Sequence, residues 1–335
     1  MFDHHGSAFS AGRRAICSAT GAAISLYALG ARAATWPNKP IRIIAAQAPG
    51  SSNDVTARAL ADYFTQKLGV PAVVENKPGG VSMIAADAVA RSPADGHTLL
   101  IALNSQLAQA PVLLKKPPID PDKDLVPVAS IGVGPVTGVA HKDFPVQTLE
   151  QLIAYAKKKP VNVGNYAIGS GWQLMLAQLA KQTGAQFNVA NYKGTGAMLI
   201  DLYAGQVDIG AGSLAGIGAG IQNGNVKPFV VFTPKRSPRM PDVPTWTEAG
   251  FHGPAFEDLL ESNVLFVPAN TPAAVVAQLA SVVRDAYLES PRLKNVLQVL
   301  AEDDPPLTGV DLRRFIDRSW ASYRKLTREQ GVATE

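Results

Sequence analysis

Short apolar runs rich in β-branched residues alternate along this chain with stretches whose apolar positions recur every three or four residues. From Trp36 to about Gly134 that pattern reads strand, helix, strand, helix, strand, the order of a parallel sheet with crossover helices. Ile41-Arg42-Ile43-Ile44-Ala45-Ala46 is the first strand, and Val55, Ala59, Leu60, Phe64 and Leu68 share one face of the helix after it. Gly69-Val70-Pro71 ends that helix. Ala72–Glu75 reads as a second strand, Asn76–Gly80 as a turn, Met83–Ala90 as a second helix and Thr98–Ala102 as a third strand, with Asn104-Ser105 at its carboxyl end. Such strand ends are where open α/β sheets place ligands.

Between Val133 and Lys142 the chain changes lobe and a second α/β series begins. Its expected helices are Leu149–Lys158, Trp172–Thr183 and Met198–Ala204; its strands are Val161–Tyr166, Phe187–Ala190, Val207–Ala211 and Pro228–Thr233. A further strand is expected at Asn263–Val267. Thr271-Pro272 then opens a long helix, Ala273–Leu288, with an N-cap and a proline at its first position. The last helix, near Leu312–Arg328, returns to the first lobe. Two crossings between lobes give a hinge with the ligand site between them.

The N-terminus departs from this pattern. Arg13 and Arg14 precede a small, apolar stretch from Ala15 to Leu29, and Ala31-Arg32-Ala33 has the form of an A-x-A cleavage site. We read residues 1–34 as an export signal cut near Ala33 or Ala34, and general secretion fits the residues after the arginine pair better than twin-arginine export. The one cysteine, Cys17, lies inside the signal, so neither disulfides nor cysteine-based zinc sites are expected in the mature chain. Cleavage removes Arg13, Arg14, Arg32 and Asp3, taking 31 basic and 27 acidic residues to 28 and 26, a net charge of +2. With no basic run interleaved with aromatics, nucleic acid is not implied.

The loop Pro49-Gly50-Ser51-Ser52-Asn53-Asp54 carries the most chemical information. Glycine lets backbone approach a ligand, the following helix start presents unpaired N–H groups to an anion, and Ser51, Ser52 and Asn53 add short donors. An ordinary capped turn explains the same residues. Gly169-Ser170-Gly171-Trp172 is a second such strand-to-helix loop, and two anion-friendly helix starts facing one cleft would suit a dicarboxylate. Trp172 either caps the pocket or packs at the helix start. Tyr192-Lys193-Gly194 offers a countercharge, and Gly212-Ser213 a strand end with small residues. Catalysis is poorly served: His97, His141 and His252 are widely separated, and no nucleophile elbow, metalloprotease or dinucleotide motif occurs. The enzymatic alternative is a hydrolase or transferase acting on a small carboxylate with Asp54 as general base, although an acidic residue there stabilises its helix. A cytoplasmic regulator would need a DNA-binding helix-turn-helix and no signal, and neither condition fits.

Taken in order, these loops resemble the Bug-type receptors, the periplasmic solute-binding proteins of tripartite tricarboxylate transporters. The resemblance spans nearly all of the mature chain: Trp36-Pro37-Asn38-Lys39-Pro40, the loop ending at Asp54, Glu75-Asn76-Lys77-Pro78-Gly79-Gly80, Asp95-Gly96-His97, Tyr192-Lys193-Gly194, Gly205-Gln206-Val207-Asp208 and Pro241-Asp242-Val243-Pro244. It implies an α/β, two-lobed periplasmic-binding-protein fold, type II-like, each lobe a mostly parallel sheet flanked by helices. Residues 35–136 and 262–335 would form lobe 1 and residues 137–261 lobe 2, with a hinge between them. Mapped onto this chain, ligand contacts come from Pro49 to Asp54 and Asn104-Ser105 in lobe 1, and from Gly169 to Trp172, Tyr192 to Gly194 and Gly212-Ser213 in lobe 2. The resemblance further implies a monomer that binds a small organic carboxylate without a cofactor, for membrane permease subunits or a signalling partner. Two segments depart from the pattern: Trp172-Gln173-Leu174-Met175, where members show a serine-rich stretch leading to histidine, and Glu261-Ser262-Asn263, where an aromatic residue often stands. Both touch the expected pocket wall, and Trp172 points to a ligand with a flat body.

Overall fold

The expected alternation forms at the start of the chain: β1 (Ile41–Ala45), α1 (Ser52–Leu68), β2 (Ala72–Asn76), α2 (Met83–Ala90) and β3 (Thr98–Leu103). β1 pairs in parallel with β2 on one side and β3 on the other. The structure, a computed structural model, describes residues 1–2, 36–132, 136–233, 235–300, 302 and 304–330. Beyond Met1 and Phe2, the expected export signal with Cys17 and the cleavage site lies outside the described residues. The elements below all belong to the compact unit of residues 39–335.

β3 runs without a loop into α3 (Asn104–Leu113), so Asn104 and Ser105 open a helix rather than trail a strand. β4 (Leu125–Gly132) completes the outward path. A second series follows: β5 (Val136–His141), α4 (Leu149–Ala156), β6 (Val161–Asn165), α5 (Gly171–Thr183), β7 (Phe187–Asn191), α6 (Thr195–Tyr203), β8 (Ile209–Ser213), α7 (Leu214–Gln222) and β9 (Val226–Val231). The chain returns through β10 (Ser262–Pro268), then α8 (Ala273–Glu289), α9 (Pro291–Leu300), β11 (Leu307–Thr308) and α10 (Gly309–Gln330).

Two sheets result, with strand orders β11-β4-β10-β3-β1-β2 and β7-β6-β8-β5-β9. Each is mixed. The βαβ units are parallel, whereas β10 and β5, which arrive from the other sheet, insert antiparallel. A strand delivered by a crossing rather than by a crossover helix has no need to run parallel to its neighbours. Proline hid β4 from the sequence pattern and moved the expected start of β9 two residues too far along. Pro127 in β4 and Pro228 in β9 each lie at a register shift, where a bulge absorbs the missing N–H. α7 was hidden by Gly216, Gly218 and Gly220, residues that disfavour a helix read in isolation.

Trp172 lies in the core beside the second sheet. Fully buried, its ring stacks on Phe232 at 5.4 Å between centroids, and Trp246 extends the cluster to Phe256 at 5.0 Å. Burial of this kind is where large aromatics contribute most to stability. Trp172→Ala should therefore destabilise the protein by about 3–5 kcal/mol, and Trp172→Phe by less, in urea unfolding followed by circular dichroism.

Candidate functional site

The Pro49–Asp54 loop spends most of its polar groups on itself. Ser51 caps α1, its hydroxyl accepting from the Asp54 amide at 3.4 Å, and Asp54 accepts the Gly50 amide at 3.0 Å. Arg58 and Asn76 each complete the Asp54 carboxylate at 2.9 Å. Burial works to raise the Asp54 pKa, but hydrogen bonds from Arg58, Gly50 and Asn76 with the Arg58 charge outweigh it and hold it below the usual carboxylate range. The Asp54 carboxylate is thereby engaged in holding its own loop, by Gly50, Arg58 and Asn76. Pro49 and Gly50 are exposed, and Asn53 is buried with its amide on Asn263. Of this loop, Ser52 reaches a cavity wall.

Asn104 and Ser105 act on the chain rather than on open space. Asn104 donates to the Leu260 carbonyl at 3.0 Å and accepts the Ser262 amide at 2.8 Å, and Ser105 donates to Glu261 Oε2 at 2.7 Å. The three residues 260–262 are thus pinned to the start of α3. On the other side, Ser170 caps α5 by accepting from the Gln173 amide at 3.3 Å. Gly169 meets elements of the first sheet: its carbonyl accepts from Gln109 at 2.6 Å, and a Cβ there would stand 3.0 Å from Val81 Cγ1. With φ at +74°, the position suits glycine on both counts. Trp172 does not cap a pocket, because its ring belongs to the aromatic core.

Between the two sheets lie two adjoining cavities that share Gln47. The larger, ≈ 200 Å³, is lined by Gln47, the Pro78–Ser82 turn, Gln106, Ala167, Ile168, Asn191, Tyr192 and Lys193. The smaller, ≈ 20 Å³, is lined by Gln47, Ser52, Leu103, Val136, Tyr166, Thr195, Gly212, Ser213 and Glu261. Of the residues expected from sequence, Ser52, Tyr192, Lys193, Gly212 and Ser213 come together at these walls. Gly194 caps the adjacent α6, and Gly171 opens α5. The sequence reading missed Gln47, the Gly79–Ser82 turn, Gln106, Tyr166 and Thr195. It read Asn76–Gly80 only as a turn and Glu261 only as a lost aromatic.

The smaller cavity is a meeting point of helix starts. Ser52 is the first residue of α1, Leu103 caps α3, Thr195 opens α6 and Ser213 caps α7. The fifth start, α5, reaches the cavity through Glu261, whose Oε1 accepts the Gly171 amide at 2.6 Å and the Tyr166 hydroxyl at 3.1 Å. Unpaired N–H groups and positive dipole ends there favour negative charge. Burial pushes the Glu261 pKa up, opposed by hydrogen bonds from Gly171, Ser105 and Tyr166. The Tyr166 and Tyr323 phenols are pushed well above their usual value by burial and the Glu261 charge; Tyr166 donates to Glu261, whereas the buried Tyr323 hydroxyl has no hydrogen-bond partner among the described residues. Among the described residues no cluster of three side chains could hold a metal ion.

Two mixed α/β sheets, linked by two crossings and enclosing a cleft ringed by helix starts, define a solute-binding protein of the periplasmic type. The chain belongs to the tripartite tricarboxylate transporter receptor family, whose model matches residues 56–332. It is 33% identical over 296 residues, 88% of this chain and 90% of the relative, to a UPF0065 protein of Bordetella pertussis. Protein BugT of the same organism is 36% identical over 220 residues, covering 65% and 68% of the two chains. The periplasmic binding protein BugD superposes with a TM-score of 0.80 at 29% identity, over 89% of this chain and 100% of its own. A Rhodopseudomonas palustris protein solved with adipate gives 0.80 at 29% identity over 88% and 98%, and MatC from that organism, solved with malate, 0.75 at 28% over 87% and 99%.

Asp54 and Glu261 should mark the pH profile with opposite signs. Asp54, lowered in the folded state, contributes stability above its ordinary value of 3.8 that is lost as pH falls through the folded value. Glu261, raised in the folded state, contributes stability below 4.5 that is lost as pH rises through the folded value. In urea unfolding from pH 3 to 7, the stability difference between wild type and Asp54→Asn should shrink as pH drops below 3.8. Against Glu261→Gln, wild type should lose ground as pH climbs above 4.5.

Proposed function

We propose that this protein is an extracytoplasmic receptor that captures a small organic carboxylate in the interlobe cleft and passes it to membrane permease subunits or a signalling partner. The observation that carries the reading is the set of helix starts around adjoining cavities between two sheets, with Lys193 on the wall of the larger. Among the described residues no carboxylate lies within 4.0 Å of the Lys193 ammonium, which leaves that charge for a ligand anion. Structural relatives were solved with adipate and with malate, both small organic carboxylates, which supports a ligand bearing at least one carboxylate. Residues 1–34 would direct export and be removed, and the mature chain would work as a monomer without chemical turnover. Lobes of residues 35–136 with 262–335, and of residues 137–261, would open and close about the two crossings to admit the ligand.

A thermal-shift screen of mono-, di- and tricarboxylates and amino acids on the mature protein tests this reading. At a hundred times Kd, a ligand of the folded state should add about 2.7 kcal/mol of stability. Lys193→Met should weaken the best ligand by about tenfold or more in isothermal titration, the loss expected of a charged hydrogen bond. A panel that yields no shift at millimolar ligand would sink the receptor reading, as would recovery of chemically altered ligand.

A further inference from the structure

We propose that Glu261 fixes the ligand class: the receptor prefers a monocarboxylate carrying an ammonium at its far end over a dicarboxylate of the same length. The inference rests on the receptor reading above and goes beyond it to the polarity of the ligand.

The helix start of α5, expected to grip a ligand carboxylate, already holds one. Glu261 Oε1 accepts both the Gly171 amide at 2.6 Å and the Tyr166 hydroxyl at 3.1 Å, and Oε2 accepts the Ser105 hydroxyl at 2.7 Å. A carboxylate offers about four acceptor positions, so one remains open, on Oε2. The ≈ 20 Å³ cavity beside it has room for one group the size of a water molecule. A second carboxylate there would crowd that space and set two negative charges side by side, which disfavours the ionised form of both. An ammonium matches the volume, the charge and the open acceptor.

The two cavities are polarised to suit. The smaller is walled by one carboxylate and no cation, the larger by Lys193 and no carboxylate. Gln47 lines both, so the two cavities adjoin end to end across its side chain. A ligand lying through both would point its ammonium at Glu261 and its carboxylate at Lys193, with its carbon chain in the ≈ 200 Å³ between.

Isothermal titration of matched pairs tests this: 4-aminobutyrate with succinate, 5-aminopentanoate with glutarate and 6-aminohexanoate with adipate, on wild type, Glu261→Gln and Glu261→Leu. The expected result is at least a tenfold preference of wild type for the amino member of the pair that binds. In Glu261→Gln, whose amide keeps the shape and can still accept from Gly171 and Tyr166, that preference should fall by about tenfold or reverse. A wild type that prefers the dicarboxylates overturns the inference whether or not either variant folds. Variants that bind both members more tightly overturn it too, since Glu261 would then compete with the ligand carboxylate rather than partner an amine. If other carboxylates bind and neither matched series does, the inference falls and the receptor reading stands. If no carboxylate of any kind binds, both fall together.

Discussion

Everything at the centre of this molecule depends on where negative charge sits among converging helix starts. Four helices present their first residues or caps to one small cavity, and a fifth reaches it through a hydrogen bond to Glu261. Left empty, such an arrangement would strand buried N–H groups, and each such group costs free energy comparable to a lost hydrogen bond. The chain answers part of that demand itself, with a carboxylate held by an amide and two hydroxyls.

That internal anion ties the two halves together. Ser105 belongs to α3 beside the first sheet, Gly171 and Tyr166 belong to the second series, and Glu261 stands on the segment that returns between them. Hydrogen bonds from Gln106 and Gln109 to the carbonyls of Ile168 and Gly169 cross the same boundary. These polar contacts run beside a hydrophobic core that is continuous across both halves and includes Trp172.

Much of the architecture was legible because periodicity reports directly on burial. β1, β2, β3 and the helices between them follow from apolar spacing alone, as does α8 from its apolar stripe, although Pro272 is its N-cap rather than its first residue and the Thr271 hydroxyl donates to the Pro268 carbonyl instead of capping the helix. β4 was not, since proline argues against a strand until a bulge is seen to accommodate it, and β9 was read with its start displaced for the same reason. α7 stayed hidden because glycine lowers helix propensity while saying nothing of the neighbours that hold the helix in place. The site was half legible. Ser52, Lys193 and Ser213 sit at turns whose chemistry is local, but the Gly50 amide satisfies Asp54 and Trp172 faces inward, outcomes set by contacts that sequence spacing does not encode.

Glu261 shows why the remainder escaped. A single acidic residue before a strand carries no motif, and its partners Ser105, Tyr166 and Gly171 lie 156, 95 and 90 positions away in the chain. Its environment can be built only by the fold, which brings the ends of three separate segments to one point. Once placed there it changes the meaning of its surroundings, because a helix start that already holds a carboxylate no longer attracts one. The amide that opens α5 and the Ser105 hydroxyl at the start of α3 are spent on Glu261, and the ligand meets a fixed acidic group where the backbone pattern alone promised a positive one.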